Sequence, residues 1–365
     1  MHQPQPCPYP QDRLDPALPT GLVLCGMGGP DGPEAVGPFL RNLFGDPMIF
    51  PAPKPFGRLF GQLIARMRTP AVRRRYLAVS PDGRTPQLET TQRQAEDLAR
   101  RFCELGLPTL PGIAMRYWHP FPAETFAALQ SRGAQQYLVV PTYPQYSCAT
   151  NGATLGFVLE GLAQAAPDRP VHVVPEWHLQ AGFLEALTAP VVATLQAWAD
   201  AEIAPADAAL VYVAHSLPQK MIDGGDPYLT QTQATVAAVH AQVAAQLAAA
   251  GHGDWLAAMP GGLRPLLAFQ SRVGPIKWLG PEVTDEVRRL AAIGCRHLHV
   301  QPVSFTCEHI ETLMELDIEL REDAEKAGVA DYRRGAALNL DERWLASMTD
   351  ELVARAYRGE VRSHA

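Results

Sequence analysis

A chain of 365 residues has room for two domains at roughly one per 150 residues, and a 47% hydrophobic content can build a sizeable core. Thirty-one Lys and Arg stand against 38 Asp and Glu, and the net charge of -7 argues against nucleic acid as a partner, because its binders carry a basic excess. The six cysteines, at 7, 25, 103, 148, 295 and 307, form no C-x-x-C pair. Neither a zinc site nor a disulfide framework is indicated, and a reduced cytoplasmic protein is expected. No apolar run reaches the ~18 residues of a membrane span.

Residues 1–20 are rich in Pro and Gln, lack the apolar centre of a secretory signal, and read as a flexible tail. Apolar runs follow at 21–25, 112–117, 137–141 and 171–175, and a second set at 209–214, 266–270 and 297–302. They are continuous rather than alternating, as in parallel strands covered on both faces. Helical stretches such as 86–105 and the Ala-rich 230–250 lie between them. The expected fold is α/β, with two similar doubly wound, Rossmann-like halves, each around a parallel sheet. The halves divide between about 165 and 205. Ligands of such sheets sit beyond the carboxyl ends of the strands, so polar residues there become candidates.

The turn Gly26-Met27-Gly28-Gly29-Pro30 follows the first strand. A dinucleotide fingerprint would need glycine where Asp31 stands, so a tight turn presenting Met27 is the better reading. Residues 53–70 place Phe56, Leu59, Phe60, Leu63 and Ile64 at helical spacing among Lys54, Arg58, Arg66 and Arg68. That pattern suits a helix packed on its own core, or an amphipathic lip against a membrane surface or a flat apolar ligand.

His215 closes the run Val211-Tyr212-Val213-Ala214. A lone histidine is commonly structural, but one at a strand's carboxyl end, before Ser216 and Pro218, suits a metal ligand or proton acceptor. The tract from Phe269 to Trp278 brings Arg272, Lys277 and an indole to another strand end, where cations clamp carboxylates and the indole covers an aromatic plane. From Glu308 the sequence reads E-H-I-E-T-L-M-E-L-D-I-E-L-R. On a helix, Glu311, Glu315 and Glu319 fall on one stripe, amid enough apolar residues to bury most of the circumference. A carboxylate row on a mostly buried helix is costly unless it binds cations or carries protons. Glu308 and His309 add donors at its start, and mixed His and carboxylate donors suit a divalent transition ion such as Fe2+.

Together these segments resemble the ferrochelatase family, enzymes that insert ferrous iron into a porphyrin. The resemblance runs from about residue 21 to 355. It rests on Met27-Gly28-Gly29-Pro30, Phe39-Leu40-Arg41-Asn42-Leu43-Phe44, Pro141-Thr142-Tyr143-Pro144-Gln145-Tyr146-Ser147, Ala214-His215-Ser216-Leu217-Pro218, Gly225-Asp226-Pro227-Tyr228, the 269–278 tract and Glu308-His309-Ile310-Glu311-Thr312-Leu313. It implies a cleft between the two halves: residues 21–165 with a lip at 47–70, and residues 166–340, with a C-terminal helix in 341–365 packing back on the first half.

The resemblance also implies roles. His215 and Glu311 would be the catalytic and metal-binding pair, facing each other from different halves. Glu315 and Glu319, with Glu308 and His309, would form a path for protons or metal. Arg68, Tyr76 and Thr85 would hold the macrocycle and its propionates, and Met27, Arg116, Tyr117, Tyr228, Trp278 and Phe305 would line the pocket. The implied substrates are Fe2+ and protoporphyrin, in the terminal step of haem synthesis. Coproporphyrin, a non-catalytic porphyrin or metal carrier, and a cobalt chelatase for an earlier tetrapyrrole are the alternatives. No organic cofactor is implied, and a monomer is expected, a dimer being the alternative. The protein would be cytoplasmic, with peripheral membrane contact through 53–66. Two departures stand out. The turn at 80–86 is about two residues longer than the family's, which bears on Thr85. Cys148 falls where some relatives carry an iron–sulfur ligand, but no cysteine follows Cys307, so no cluster is expected.

Overall fold

The computed structural model describes residues 9–46, 56–272 and 274–357. The apolar runs become parallel strands because both of their faces are covered. In the first set β1 (Thr20–Gly26), β2 (Thr109–Met115), β3 (Gln136–Pro141) and β4 (Val171–Val173) pair in the order β2-β1-β3-β4. In the second, β5 (Ala208–His215), β6 (Leu266–Gln270), β7 (His297–Pro302) and β8 (Asp331–Arg334) pair in the order β6-β5-β7-β8. The second sheet repeats the strand order of the first, so the two α/β halves expected from the sequence are present. They are compact units: Met1–Trp177 with Leu345–Ala365, and His178–Trp344.

Strand β8 is absent from the sequence expectation. Its residues, Asp331-Tyr332-Arg333-Arg334, are mostly charged, as an edge strand tolerates, and only Tyr332 is buried. The helix Phe56–Val79 runs through Pro70, where the expected lip ended. Residues 9–19 do not trail from the first unit. The Asp12 N–H donates to the Val171 carbonyl at 3.2 Å, the Leu14 N–H to the Ala356 carbonyl at 2.8 Å, and the Leu14 side chain is fully buried.

Glu311–Leu320 is a π-helix rather than the α-helix on which the carboxylate stripe was read, its hydrogen bonds closing one residue wider. Its buried residues are Thr312, Leu316 and Leu320. Leu316 and Leu320 join Val211, Val213, Leu298 and Val300 in the core of the second unit. Full burial of one such leucine is worth about 2 kcal/mol, so this narrow seam anchors the helix. The helix is therefore less enclosed than the count of apolar residues suggested. Glu311 and Glu315 are half-buried, and Glu319 is exposed.

Candidate active site

Strand β5 carries His215 out of the hydrophobic core at its carboxyl end, and four contacts fix the residue there. Its backbone pairs in register with Gln270 of β6. Its N–H donates to Ser304 Oγ at 3.3 Å, and its carbonyl accepts from the buried Tyr228 hydroxyl at 2.8 Å. The ring Nδ1 lies 2.5 Å from the Ser216 carbonyl. A carbonyl only accepts, so Nδ1 carries a proton and, in the neutral ring, Nε2 presents its lone pair.

That Nε2 faces Glu311 Oε1 at 3.6 Å. The other oxygen, Oε2, lies 3.6 Å from His309 Nε2, so the carboxylate sits between two imidazoles. Both histidines and Glu311 belong to the second unit, which corrects the expectation that His215 and Glu311 come from different halves. Burial holds the His309 pKa below its ordinary value, against the opposing charges of Glu311 and Glu308. The Phe305 ring meets the His309 ring edge-on at 4.5 Å, and His309 Nδ1 is buried without a partner.

Gln270, at the carboxyl end of β6, ties the strand to the π-helix. Its amide donates to the Glu311 carbonyl at 2.9 Å and to Glu315 Oε2 at 3.0 Å. The Ser271 hydroxyl donates to the same Glu315 oxygen. Ser271 has a φ of 65°, a left-handed conformation that a non-glycine residue holds only where its surroundings demand it. Glu308 is committed elsewhere. It accepts from Arg334 Nη1 at 2.7 Å and from the Ala337 N–H at 2.9 Å. Burial pushes its carboxyl up, but the Arg334 guanidinium prevails and holds it below the usual range. Trp278 lies beside the loop that follows His215: it bridges Pro218, with the Gln219 N–H on the Lys277 carbonyl and the Leu279 N–H on the Leu217 carbonyl, both at 2.9 Å. Arg272 pairs with Glu282 at 3.1 Å.

The first unit gathers a second set at the carboxyl ends of its own strands. Met27 follows β1, and its carbonyl accepts from the Tyr117 N–H at 3.0 Å. Gly28 has φ 75°, and a Cβ there would lie 2.9 Å from Met115 Cβ, so the turn requires glycine. Thr85 borders the same turn, its Oγ1 4.0 Å from where a Gly29 Cβ would stand. Arg116 Nε and the Tyr117 hydroxyl both donate to Asp46 Oδ2, at 2.8 and 2.6 Å. Burial pushes the Tyr117 pKa up, and Asp46 adds to the rise. On the helix Phe56–Val79, Tyr76 is buried, Arg68 lies over the Phe44 ring at 5.6 Å, and Leu59, Phe60, Leu63 and Met67 are exposed. Residues 47–55 of the expected lip fall outside the described residues.

The structure thus gathers His215, Glu308, His309, Glu311, Glu315, Tyr228, Phe305 and Trp278 in the second unit, with Glu319 at the exposed side of the π-helix. Met27, Arg68, Tyr76, Thr85, Arg116 and Tyr117 belong to the first. Sequence reasoning placed Ser304, and Gln270 and Ser271 within the 269–278 tract, at strand ends but gave them no part in holding His215, Glu311 or Glu315; it missed Asp46 and Arg334, which nothing local marks. Among the described residues, no group of three or more His, Cys, Asp or Glu is arranged to hold a metal ion by itself.

A profile of the family described as Ferrochelatase matches residues 19–356. A ferrochelatase of Hyphomonas neptunium is 36% identical over 339 residues, 91% of this chain and 87% of its own. One of Phenylobacterium zucineum is 37% identical over 333 residues, 90% and 89% of the two chains, and one of Gloeobacter violaceus is 34% identical over 338 residues, 92% and 97%. Among solved structures, the cobalt complex of the sirohydrochlorin chelatase SirB from Bacillus subtilis subspecies spizizenii aligns over 93% of this chain and 95% of its own, with a TM-score of 0.49 and 10% identity.

Proposed function

The chain belongs to the ferrochelatase family, and from that premise we propose that it inserts Fe2+ into protoporphyrin, releasing two protons and forming haem. The observation that carries this reading is the facing of His215 Nε2 and Glu311 Oε1 at 3.6 Å at the carboxyl end of β5. Two donors each about 2.1 Å from one transition ion, at a tetrahedral or slightly wider angle, stand roughly 3.4–3.6 Å apart. The observed separation therefore suits a single divalent ion between them, with water and then pyrrole nitrogens completing its coordination.

Insertion requires both pyrrole N–H protons to leave. With Nδ1 tied to the Ser216 carbonyl, His215 offers Nε2 as the accepting atom, and general base catalysis by a positioned imidazole typically contributes about 10²–10⁴ in rate. Glu311 takes the second proton or hands over the metal, and Glu315, with Glu319 beyond it, supplies a carboxylate route from the exposed side of the π-helix. His309, whose Nε2 lies 3.6 Å from the other Glu311 oxygen, is proposed as a further proton partner on the far side of that carboxylate. Arg68, with Tyr76 and Thr85, is proposed to hold the macrocycle and its propionates, and Arg116, paired with Asp46, to line the pocket.

The choice of porphyrin is tested by measuring turnover with the dicarboxylate protoporphyrin and the tetracarboxylate coproporphyrin side by side, at limiting Fe2+ and without oxygen. The expected result is a higher kcat/KM for protoporphyrin. A higher value for coproporphyrin overturns that assignment and leaves the chelatase reading in place.

A further inference from the structure

Arg334 ends strand β8 and is held by several hydrogen bonds, to Glu308, Asp317 and the Gly335 carbonyl. Its Nη1 donates to Glu308 Oε1 at 2.7 Å, while Nε and Nη2 donate to the two oxygens of Asp317 at 2.8 and 2.6 Å. The arginine side chain is only 10% exposed and that of Glu308 13%. One planar guanidinium thus joins two acids from separate points of the chain: Glu308 precedes Glu311 by three residues, and Asp317 follows it by six within the π-helix. Both belong to the cluster of five acids from Glu308 to Glu319, which contains no Lys or Arg of its own. The Glu308 carboxylate also accepts the Ala337 N–H, and its own N–H donates to Asn339 Oδ1 at 3.0 Å, so the segment entering the π-helix is braced on both sides.

We infer that Arg334 is a positioning residue for Glu311: by clamping Glu308 and Asp317 it fixes the segment that presents the Glu311 carboxylate to His215. The inference rests on the reading of that pair as the metal-handling site. A fork is required because the two acids are bonded through different nitrogens; a lysine ammonium keeps the charge but cannot reproduce a bidentate hold on Asp317 while reaching Glu308. Outer-shell residues that orient a metal ligand commonly cost about tenfold or more when replaced.

The test measures KM for Fe2+ and for porphyrin, anaerobically, in the wild type, in Arg334→Lys, and in a triple variant combining Arg334→Met, Glu308→Gln and Asp317→Asn. The triple variant removes the clamp without leaving a buried unpaired charge, so it keeps the question open if the lysine variant does not fold. The expected result is a rise of about tenfold in KM for Fe2+ with KM for porphyrin unchanged. An unchanged KM for Fe2+ in the folded variants overturns the inference, and so does an equal rise in both constants, which general loosening would produce. Glu311→Gln is assayed alongside. If it turns over normally, the underlying site reading falls and the inference with it; if it is crippled while Arg334→Lys is unaltered, the inference alone falls.

Discussion

The Ser216 carbonyl decides what His215 can do. By accepting from Nδ1 it leaves Nε2 as the acceptor of the neutral ring, aimed at Glu311. Glu315 is next in line, held by the Gln270 amide and the Ser271 hydroxyl. If it passes cations toward Glu311, Glu315→Gln will slow insertion at limiting Fe2+ by about tenfold, and saturating Fe2+ will restore most of the rate. Steady-state rates across an Fe2+ series check this; identical curves for variant and wild type would reduce Glu315 to a bracing role. His215 and the carboxylate row were legible in sequence because a polar residue at the end of an apolar strand, and acids among leucines, need a reason to be there. Arg334 and Gln270 were not legible, because their partners lie 17 to 45 residues away and only the sheet brings them together.

At the scale of elements, most strands among the described residues follow from continuous apolar runs, since a parallel strand covered on both faces needs no alternation; β7 alternates instead, with His299 and Gln301 buried between apolar residues. Strand β8 escapes because an edge strand is free to be charged, and its charge is what lets Arg334 serve as a clamp. The π-helix escapes for a different reason. The four-residue spacing of Glu311, Glu315 and Glu319 falls between the 3.6-residue α-turn and the wider π-turn, so it does not choose between them, and tertiary contacts do. Tyr332 of β8 donates its hydroxyl to the Leu316 carbonyl at 2.8 Å, and Gln270 donates to the Glu311 carbonyl, so outside partners engage the backbone of this helix. Widened helices of this kind recur at functional sites, where one added residue re-aims the side chains. Pro70 was misleading in the same way: the helix continues through it because Pro breaks a helix only where its lost hydrogen bond and its ring are not accommodated.

Across the whole molecule, the net charge of -7 matters less than its distribution: acids gather around the π-helix, and arginines along the helix Phe56–Val79. No helix among the described residues is long and apolar enough to cross a membrane. The buried histidines set a pH dependence of stability. Burial pushes His299 down from the ordinary 6.5 to about 4, and it lowers His172, His240 and His309 as well. A depressed histidine is neutral in the folded state while the unfolded chain binds a proton, so stability is full above pH ~6.5 and falls as the pH drops toward 4. His299 alone contributes about 3 kcal/mol to that loss. Urea unfolding at pH 7.5 and pH 5 will show a lower midpoint at pH 5, and His299→Gln will lessen the difference; equal midpoints in the wild type would refute the assignment.

On the proposed function, a porphyrin is metallated at the His215–Glu311 pair. The most direct test follows metalloporphyrin formation by absorbance, without oxygen, in wild type and His215→Ala, with porphyrin binding read from fluorescence quenching of the same samples. The wild type should turn over many times per chain, and His215→Ala should lose at least about 100-fold in rate while binding porphyrin normally. A folded His215→Ala protein that inserts Fe2+ at close to the wild-type rate would remove His215 from the reaction.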